Sequence, residues 1–305
     1  MSKGLGEKIC FVIVGPTAVG KTEFAINLAE HLKTSIISAD SRQCYKELKI
    51  GVARPTPQEL AKVPHYFIAS HSIKENLSVI DFEKYALEKA DEIFKKSNYL
   101  VVVGGTGLYI KAFCEGLDDI PSADLNYRAE LTAEYEKNGL EWLKEKIKII
   151  DPLFFKEGEM ENPRRILRAL EVMHQTKKSI LSFHEHNKKV RPFKIIKIGL
   201  DLPREQLYKK INSRVYEMMH AGFINEAEKL LPYWKSNALQ TVGYKEIFDF
   251  LDQKFSLERT IDLIKQNTRK YAKRQLTWFK KDDSVIWFDA NDKAKVLKEV
   301  LKMIN

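Results

Sequence analysis

The feature that most constrains the fold is the segment 15–22, GPTAVGKT, which fits the pattern G-x-x-x-x-G-K-[ST]. It follows an apolar run, Ile9–Val14, that predicts a fully buried strand, and it precedes an amphipathic pattern over residues 23–32 that predicts a helix. In this context backbone N–H groups face an anion, the lysine adds a positive charge and the final threonine can ligate Mg²⁺. The segment therefore predicts a site for a di- or triphosphate, formed by Gly15, Pro16, Thr17, Ala18, Val19, Gly20, Lys21 and Thr22.

Further apolar runs at 34–39 and Tyr99–Val103 also predict buried strands, and a helical pattern covers residues 79–96 between them. Strands that are apolar throughout and alternate with helices are typical of a parallel sheet covered on both faces. The strand pattern returns at 193–202 and at Val285–Asp289. The sequence therefore predicts an α/β fold, in which helices flank a parallel sheet.

The middle of the chain predicts helices alone. Apolar residues recur at steps of three and four from about residue 125 to residue 150, and Asn162-Pro163 places a proline in the first turn of another helix. We therefore expect an all-helical insertion domain at residues 115–194, within an α/β core made of residues 1–114 and 195–305.

Two predicted strand ends carry candidate catalytic residues. Ligands of doubly wound sheets bind at the carboxyl ends of the strands, so Asp40 is a candidate general base, and its alternative role is an N-cap or Asx turn. Thr106 follows Tyr99–Val103 and is either a site hydroxyl or a turn residue. The glycines at 104–107 offer no carboxylate for a metal, and no guanine-reading Asn-Lys-x-Asp motif is present. An ordinary ATPase or GTPase cycle is therefore disfavoured.

The charge of the chain points to a polyanionic partner. Lysines and arginines number 51 and acidic residues 42, a formal net charge of +9. Arginine's planar fork suits phosphate, so Arg164, Arg165 and Arg168 are candidate contacts, with a solvated helix face as the alternative.

Residues 264–281 concentrate further positive charge on one predicted helix, with no acidic residue among them. Like charges at four-residue steps repel one another, so an anionic partner explains this pattern best. We expect the aromatic residues of this segment, Tyr271, Trp278 and Phe279, to pack in the core rather than stack on bases. The basic residues are Lys265, Arg269, Lys270, Lys273, Arg274, Lys280 and Lys281.

Cysteine usage and apolar run lengths indicate the compartment. Cys10, Cys44 and Cys114 are far apart and odd in number, which favours a reducing cytosol over a disulfide framework or a zinc site. No apolar stretch approaches the ~20 residues that span a bilayer. We expect a cytoplasmic monomer that does not contact membranes.

Several segments occur together in a fixed order along the chain. They are residues 15–22, 40–41, 104–109 (GGTGLY), 121–124 (PSAD) with Arg128, 162–171 (NPRRILRALE), 242–246 (VGYKE) and 268–279 (TRKYAKRQLTWF). This set resembles the bacterial tRNA dimethylallyltransferases over almost the whole chain. The resemblance implies a P-loop NTPase-like core and transfer of a dimethylallyl group from its diphosphate to N6 of the adenosine 3′ of the tRNA anticodon. It also implies that the phosphate loop holds the prenyl donor rather than ATP, with Mg²⁺ as cofactor on Thr22.

The resemblance also implies roles for individual residues. Asp40 would accept the proton of the adenine amine, Thr106 would lie near the amine and the leaving group, and Arg214 would meet the diphosphate. The helical insertion would grip the anticodon stem while the α/β core carries out the chemistry. The implied tRNA contacts are Asp40, Ser41, Arg42, Gln43, Thr106, Arg128, Arg164, Arg165, Ile166, Leu167 and Arg168.

Three alternatives remain open at this point. An adenylate prenyltransferase that makes free cytokinin would share the phosphate loop and the base, although a mononucleotide needs no helical insertion or basic helix. A small-molecule kinase with the same phosphate loop would release ADP. A nucleotide-gated RNA-binding module would carry out no chemistry.

Overall fold

The computed structural model describes residues 6–122, 124–183 and 188–304, except for the side chain of Leu125. The chain divides into two compact units. The first comprises the residues up to Glu115 together with those from Val190 onward, and the second comprises Gly116–Lys189. We expected the boundaries of the insertion at residues 115 and 194.

A parallel sheet forms the centre of the first unit. Over the described residues its order is β3-β2-β4-β1-β5-β6, and every neighbouring pair is parallel. The five strands predicted from sequence are present, whereas β3 was missed because two residues are too few to form a recognisable pattern. The strands are β1 (Ile9–Val14), β2 (Ile36–Ser38), β3 (His65–Tyr66), β4 (Tyr99–Val103), β5 (Lys194–Asp201) and β6 (Val285–Asp289).

Helices cover both faces of the sheet, so the central strand β1 is buried on each side. Alternate β1 residues point to opposite faces. Val12 packs into one core cluster, and Phe11 and Ile13 pack into the other. The helices of this unit are α1 (Lys21–Leu32), α2 (Pro57–Lys62), α3 (Val79–Phe94), α4 (Gly107–Glu115), α8 (Arg204–His220), α9 (Phe223–Leu230), α10 (Tyr244–Leu251), α11 (Leu257–Phe279) and α12 (Lys293–Lys302).

The described part of the second unit contains helices and no strand. The helices are α5 (Leu125–Ile150), α6 (Pro152–Glu157) and α7 (Pro163–Thr176), and α5 is kinked at Gly139, where φ is 80°. Leu131, Leu143 and Ile147 pack with Ile166 of α7 in a separate core. The three- and four-residue periodicity of the sequence is therefore the pattern of this core.

Candidate active site

The phosphate loop connects β1 to α1 at the carboxyl edge of the sheet. Gly15 has a φ of 141°, and a Cβ atom there would lie 2.3 Å from the Leu200 carbonyl oxygen of the neighbouring strand, so only glycine fits. Helix α1 begins at Lys21, two residues earlier than the sequence pattern suggested. Lys21 and Thr22 therefore belong to the first helical turn, whose free N–H groups favour an anion.

Two basic side chains lie at this loop, Lys21 from the loop itself and Arg214 from α8. Burial, reinforced by the positive charge of Arg214, lowers the pKa of Lys21 to about 7, and Asp40 opposes that shift. The Lys21 ammonium donates to the Pro16 carbonyl oxygen at 2.7 Å, and Arg214 donates to the Thr17 hydroxyl at 3.4 Å. Burial also lowers the pKa of Arg214. A site that holds two poorly solvated cations side by side is suited to a multiply charged anion such as a diphosphate.

Asp40 lies in the same cavity as Lys21 and Arg214, directly beyond β2. Its Oδ1 accepts the backbone N–H groups of Arg42 at 2.9 Å and Gln43 at 3.2 Å, so the Asx turn considered from sequence is present. Its Oδ2 accepts no hydrogen bond from the described residues. The turn thus fixes the carboxylate and leaves one oxygen for another partner.

A second cleft lies beside this cavity. Ser41, Arg42 and Thr106 line it together with the exposed Trp278. The Thr106 hydroxyl accepts the Ser41 N–H at 3.1 Å and donates to the Ser41 hydroxyl at 3.3 Å, which joins the ends of β2 and β4. Thr106 lines this cleft and is not among the residues around the phosphate loop cavity.

The wall shared by the two pockets consists of Gly105, Tyr271 and Gln275. Gln275 is buried; its Nε2 donates to the Gly105 carbonyl at 2.9 Å and its Oε1 accepts the Thr17 N–H at 2.8 Å. Helix α11 therefore ties the phosphate loop to the loop after β4 through one amide. The Thr17 N–H is consequently engaged inside the protein, although the whole loop was expected to face phosphate.

These geometric features belong to a chain with clear relatives. A family model described as IPP transferase matches residues 43–282. The tRNA dimethylallyltransferase of Christiangramia forsetii is 50% identical over 283 residues, which cover 93% of this chain and 94% of that protein. The chain belongs to the IPP transferase family. A second relative, tRNA dimethylallyltransferase 1 of Phocaeicola vulgatus, is 43% identical and covers 95% of this chain and 96% of its own.

Solved structures of the same family have this architecture. The tRNA isopentenylpyrophosphate transferase of Bacillus halodurans is similar with a TM-score of 0.72 and 39% identity, covering 98% of this chain and 95% of that one. A eukaryotic dimethylallyltransferase captured acting on tRNA gives a TM-score of 0.78 at 26% identity, covering 94% of this chain and 75% of that one. The predicted α/β, P-loop NTPase-like fold is confirmed.

The basic side chains of α11 are less available to an external anion than the sequence suggested. The Lys265 ammonium is nearly buried, where it donates to the Tyr216 hydroxyl at 2.7 Å and pairs with Asp262 at 3.2 Å. Arg269 donates to the Asn212 side chain at 2.9 Å. The inference that these cations await an external anion is therefore wrong for Lys265, because Asp262, outside the 264–281 window, already pairs with it. The partner of Arg269 is a neutral side chain, which does not offset the positive charge. Lys270, Lys273 and Arg274 remain exposed.

The aromatic residues of α11 differ in their burial. Phe279 is in the core as expected, whereas Trp278 is 42% exposed at the second cleft. Tyr271 is partly exposed between the two pockets, and burial raises its pKa. The expectation that all three rings pack in the core is wrong for Trp278, because its indole packs against Gly107 on one side and lines the open second cleft.

In the second unit, a buried carboxylate organises the arginines. Glu171 accepts Arg128 through Nε at 2.5 Å and Nη2 at 2.7 Å, and it accepts Arg168 at 3.2 Å. Arg168 also donates to the Pro121 carbonyl oxygen. Of the residues predicted to contact tRNA here, only these two share an ion-pair network.

The other predicted contacts in this unit have different surroundings. Arg165 pairs with Glu159 at 2.7 Å, while Arg164 is exposed and pairs with no acidic residue of the described ranges. Ile166 is fully buried and Leu167 is half-buried, so the side chain of Ile166 serves the core rather than the surface.

Gln275 and His65 are among the residues of the phosphate loop cavity that sequence reasoning missed. Gln275 stands inside the recognisable segment 268–279, which was the available signal. His65 of β3 carried no signal, and its Nε2 is buried without a hydrogen-bond partner among the described residues. Burial lowers the pKa of His65, so its ring is neutral at neutral pH.

Within residues 6–122, 124–183 and 188–304, no three His, Cys, Asp or Glu side chains come together in a way that could hold a metal ion. No helix in these ranges has the length and apolar character needed to cross a membrane.

Proposed function

We propose that this chain transfers the dimethylallyl group of dimethylallyl diphosphate to N6 of the adenosine 3′ of a tRNA anticodon, position 37, which yields N6-isopentenyladenosine. The observation that carries the proposal is the placement of Asp40, with one free carboxylate oxygen, in the cavity that holds Lys21 and Arg214. A base next to a diphosphate site is what prenyl transfer to an amine requires.

The reaction divides between the two kinds of group in the cavity. The N6 lone pair of adenine attacks the first carbon of the prenyl group, and the bond from that carbon to the diphosphate oxygen breaks. Asp40 Oδ2 accepts the proton that N6 loses as the new bond forms. The diphosphate departs with the bonding electrons, and Lys21 and Arg214 stabilise its growing charge.

Mg²⁺ is the cofactor we expect, and the donor set fits it. This ion usually keeps several waters and binds through substrate phosphates with one or two protein oxygens, so a cluster of carboxylates is unnecessary. The Thr22 hydroxyl is in the first turn of α1 and lacks a hydrogen-bond partner within the described ranges. The ion would supply additional positive charge next to the leaving diphosphate.

The acceptor requires a large basic surface. An anticodon-loop adenosine must be splayed out of its stack to reach the Asp40 carboxylate inside the cavity. The second cleft carries the exposed Trp278, on which a base can stack, and Arg274, which can bind a phosphate. Lys270 and Lys273 of the same helix are also exposed, and so is Arg164 in the second unit. We further infer a cytoplasmic monomer, in keeping with three buried free cysteines.

The test is a transfer assay with purified protein, Mg²⁺ and labelled dimethylallyl diphosphate, offered AMP or an anticodon stem-loop with adenosine at position 37. We expect product only with the stem-loop, and mass spectrometry should place the added group on N6. Preference for AMP would instead identify an adenylate prenyltransferase. Phosphoryl transfer from ATP with release of ADP would identify a kinase, and RNA binding without any product would leave a binding module.

A further inference from the structure

We propose that Glu226 and Tyr244 are positioning residues for the donor cavity. They anchor residues 49–51, and the chain that follows forms a wall of that cavity. This inference rests on the proposed function, because it takes dimethylallyl diphosphate as the ligand of the cavity. Neither residue lines the cavity, so each acts through the loop and not by contact with the substrate.

The anchor is a single carboxylate that receives several donors. Glu226 of α9 accepts the backbone N–H groups of Lys49 at 3.1 Å, Ile50 at 2.8 Å and Gly51 at 3.0 Å. Its Oε1 also accepts the Tyr244 hydroxyl at 2.6 Å. Successive N–H groups that converge in this way form an anion-binding turn, and here the anion is a side chain of the same protein. The chain is thus fixed at three consecutive residues.

The turn packs closely against two aromatic rings next to the anchor. A Cβ atom on Gly51 would lie 2.2 Å from the Phe223 ring and 2.6 Å from the Tyr244 ring, so the backbone rests directly on both. These two rings are fully buried and meet edge to face, with centroids 5.0 Å apart. Burial and the negative charge of Glu226 raise the pKa of Tyr244, so it remains a donor at any physiological pH.

The anchored turn leads straight into the cavity. Val52, Ala53 and Pro55 line it together with the phosphate loop. Ala53 has a φ of 46°, a left-handed conformation that is unfavourable for a non-glycine residue and persists only where the surroundings enforce it. Its carbonyl oxygen and that of Val52 both accept the Gln43 side chain, at 3.1 and 3.2 Å.

The same glutamine reaches the proposed base. The Gln43 N–H donates to Asp40 Oδ1, so a continuous set of hydrogen bonds runs from Asp40 through Gln43 to the wall. Glu226 and Tyr244 hold the other end of that wall. A loosened turn would widen the donor cavity first and disturb the base only through the Gln43 side chain.

This arrangement also explains the segment 242–246, VGYKE, to which no role has been given so far. Its first residue, Val242, lines the second cleft, and Tyr244 reaches back to Glu226. Glu246 caps the start of α10 by accepting the Gly243 N–H at 2.7 Å, which fixes the position of Tyr244. The segment therefore connects the walls of both pockets.

The experiment compares Glu226→Gln and Tyr244→Phe with the wild type. The amide of glutamine has one acceptor oxygen, and its NH₂ group would face another donor, while phenylalanine keeps the ring and loses only the hydroxyl. The matched control is Glu47→Gln. Glu47 also accepts a hydroxyl and a backbone N–H, from Ser72 at 2.6 Å and Ile73 at 3.0 Å, and it lines none of the pockets described.

Binding of dimethylallyl diphosphate is measured by calorimetry without tRNA, so no turnover is needed, and steady-state kinetics follow with the stem-loop. We expect the donor Kd and KM to rise about fivefold or more in both variants, with a smaller change in kcat and unchanged stem-loop affinity. Glu47→Gln should lower Tm without changing the donor Kd. Tyr244→Phe in the Glu226→Gln background should add little, because both act through one contact.

Variants with a lower Tm but the wild-type donor Kd and KM would overturn the inference. The contact of Glu226 with Tyr244 would then serve stability alone. If Glu226→Gln does not fold, Tyr244→Phe decides by the same criterion. Failure of the proposed function is a separate result, since the wild type would then bind the donor and modify no stem-loop. The Kd comparison would still test the anchor in that case.

Discussion

One carboxylate oxygen of Asp40 accepts two backbone N–H groups, and the other accepts none from the described residues. From sequence, a turn residue and a general base were alternatives. The structure makes them compatible, because the turn uses Oδ1 and the base chemistry needs only Oδ2. A single side chain can therefore have a structural and a chemical role at once.

Asp40→Asn tests the chemical role alone. Asparagine keeps an oxygen for the turn but cannot accept the N6 proton, so we expect kcat to fall by about 10²- to 10⁴-fold. Stem-loop affinity should stay within about twofold, and single-turnover transfer with a filter-binding control measures both. Turnover close to that of the wild type would remove Asp40 from the mechanism.

We expect donor binding to be linked to protonation of Lys21. Its pKa of about 7 in the free protein leaves the side chain largely neutral at pH 8, and a bound diphosphate favours the charged form. We expect nearly one proton to be taken up per donor bound at pH 8, measured by calorimetry in buffers of different ionisation enthalpy. Lys21→Met should abolish this uptake, and a wild type that takes up no proton contradicts the prediction.

The same shift has a consequence for stability. The folded pKa lies below the ordinary value of 10.5, so the unfolded chain binds more protons between about pH 7 and 10.5. Lys21 therefore makes the free protein more stable as the pH rises through this window.

At the scale of elements, α11 supplies the contact that holds two loops together. The Gln275 amide bridges the phosphate loop and the loop after β4, and both of these follow buried parallel strands. The position of each loop is fixed by its own strand, and their separation by this helix. The charge pattern of the helix predicted a role for its basic residues, whereas the side chain that bridges the two loops, Gln275, is buried and uncharged.

Gln275→Leu removes both hydrogen bonds while it preserves bulk. The Thr17 N–H and the Gly105 carbonyl lose their partner, so we expect a loss of about 1–3 kcal/mol in unfolding free energy and a weaker donor affinity. Urea unfolding and calorimetry measure the two effects. Gln266→Leu, at an exposed position of the same helix, is the control and should change neither.

The basic residues behind the net charge of +9 are of two kinds. Some are bound to partners within the protein, and others are exposed to solvent. Arg128, Arg168, Lys265 and Arg269 are bound to partners within the protein. Arg164, with Lys270 and Lys273 in the other unit, remains exposed. Only cations that are free to neutralise phosphates displace counterions from the RNA, so these residues determine the salt dependence of binding.

Arg164→Ala should therefore weaken stem-loop binding and reduce the slope of log K against log salt by about one. Arg165→Ala is the matched comparison, since Arg165 is already paired with Glu159 and its loss should reduce the slope less. Binding titrations at several salt concentrations measure both slopes. An unchanged slope for Arg164→Ala would assign that arginine to a solvated face.

Features that depend on neighbouring residues could be predicted from the amino-acid sequence. The phosphate loop, the apolar strands that flank it and the helical periodicity of residues 125–150 are local patterns, because a glycine turn or a buried strand is defined within a few residues. The same local reasoning found Asp40 at the end of a strand. It failed for β3, whose two residues form no pattern.

The hydrogen-bond and ion-pair partners of these residues become known only from the three-dimensional structure. Glu226 meets Lys49, which lies 177 residues away, and Gln275 meets Thr17 across 258 residues, so no window of sequence contains either pair. The sequence likewise suggested that Lys265 could bind an external anion, whereas in the structure its ammonium group donates to the Tyr216 hydroxyl. The physical reason is that burial and hydrogen bonding depend on distance in space, which a one-dimensional pattern does not encode.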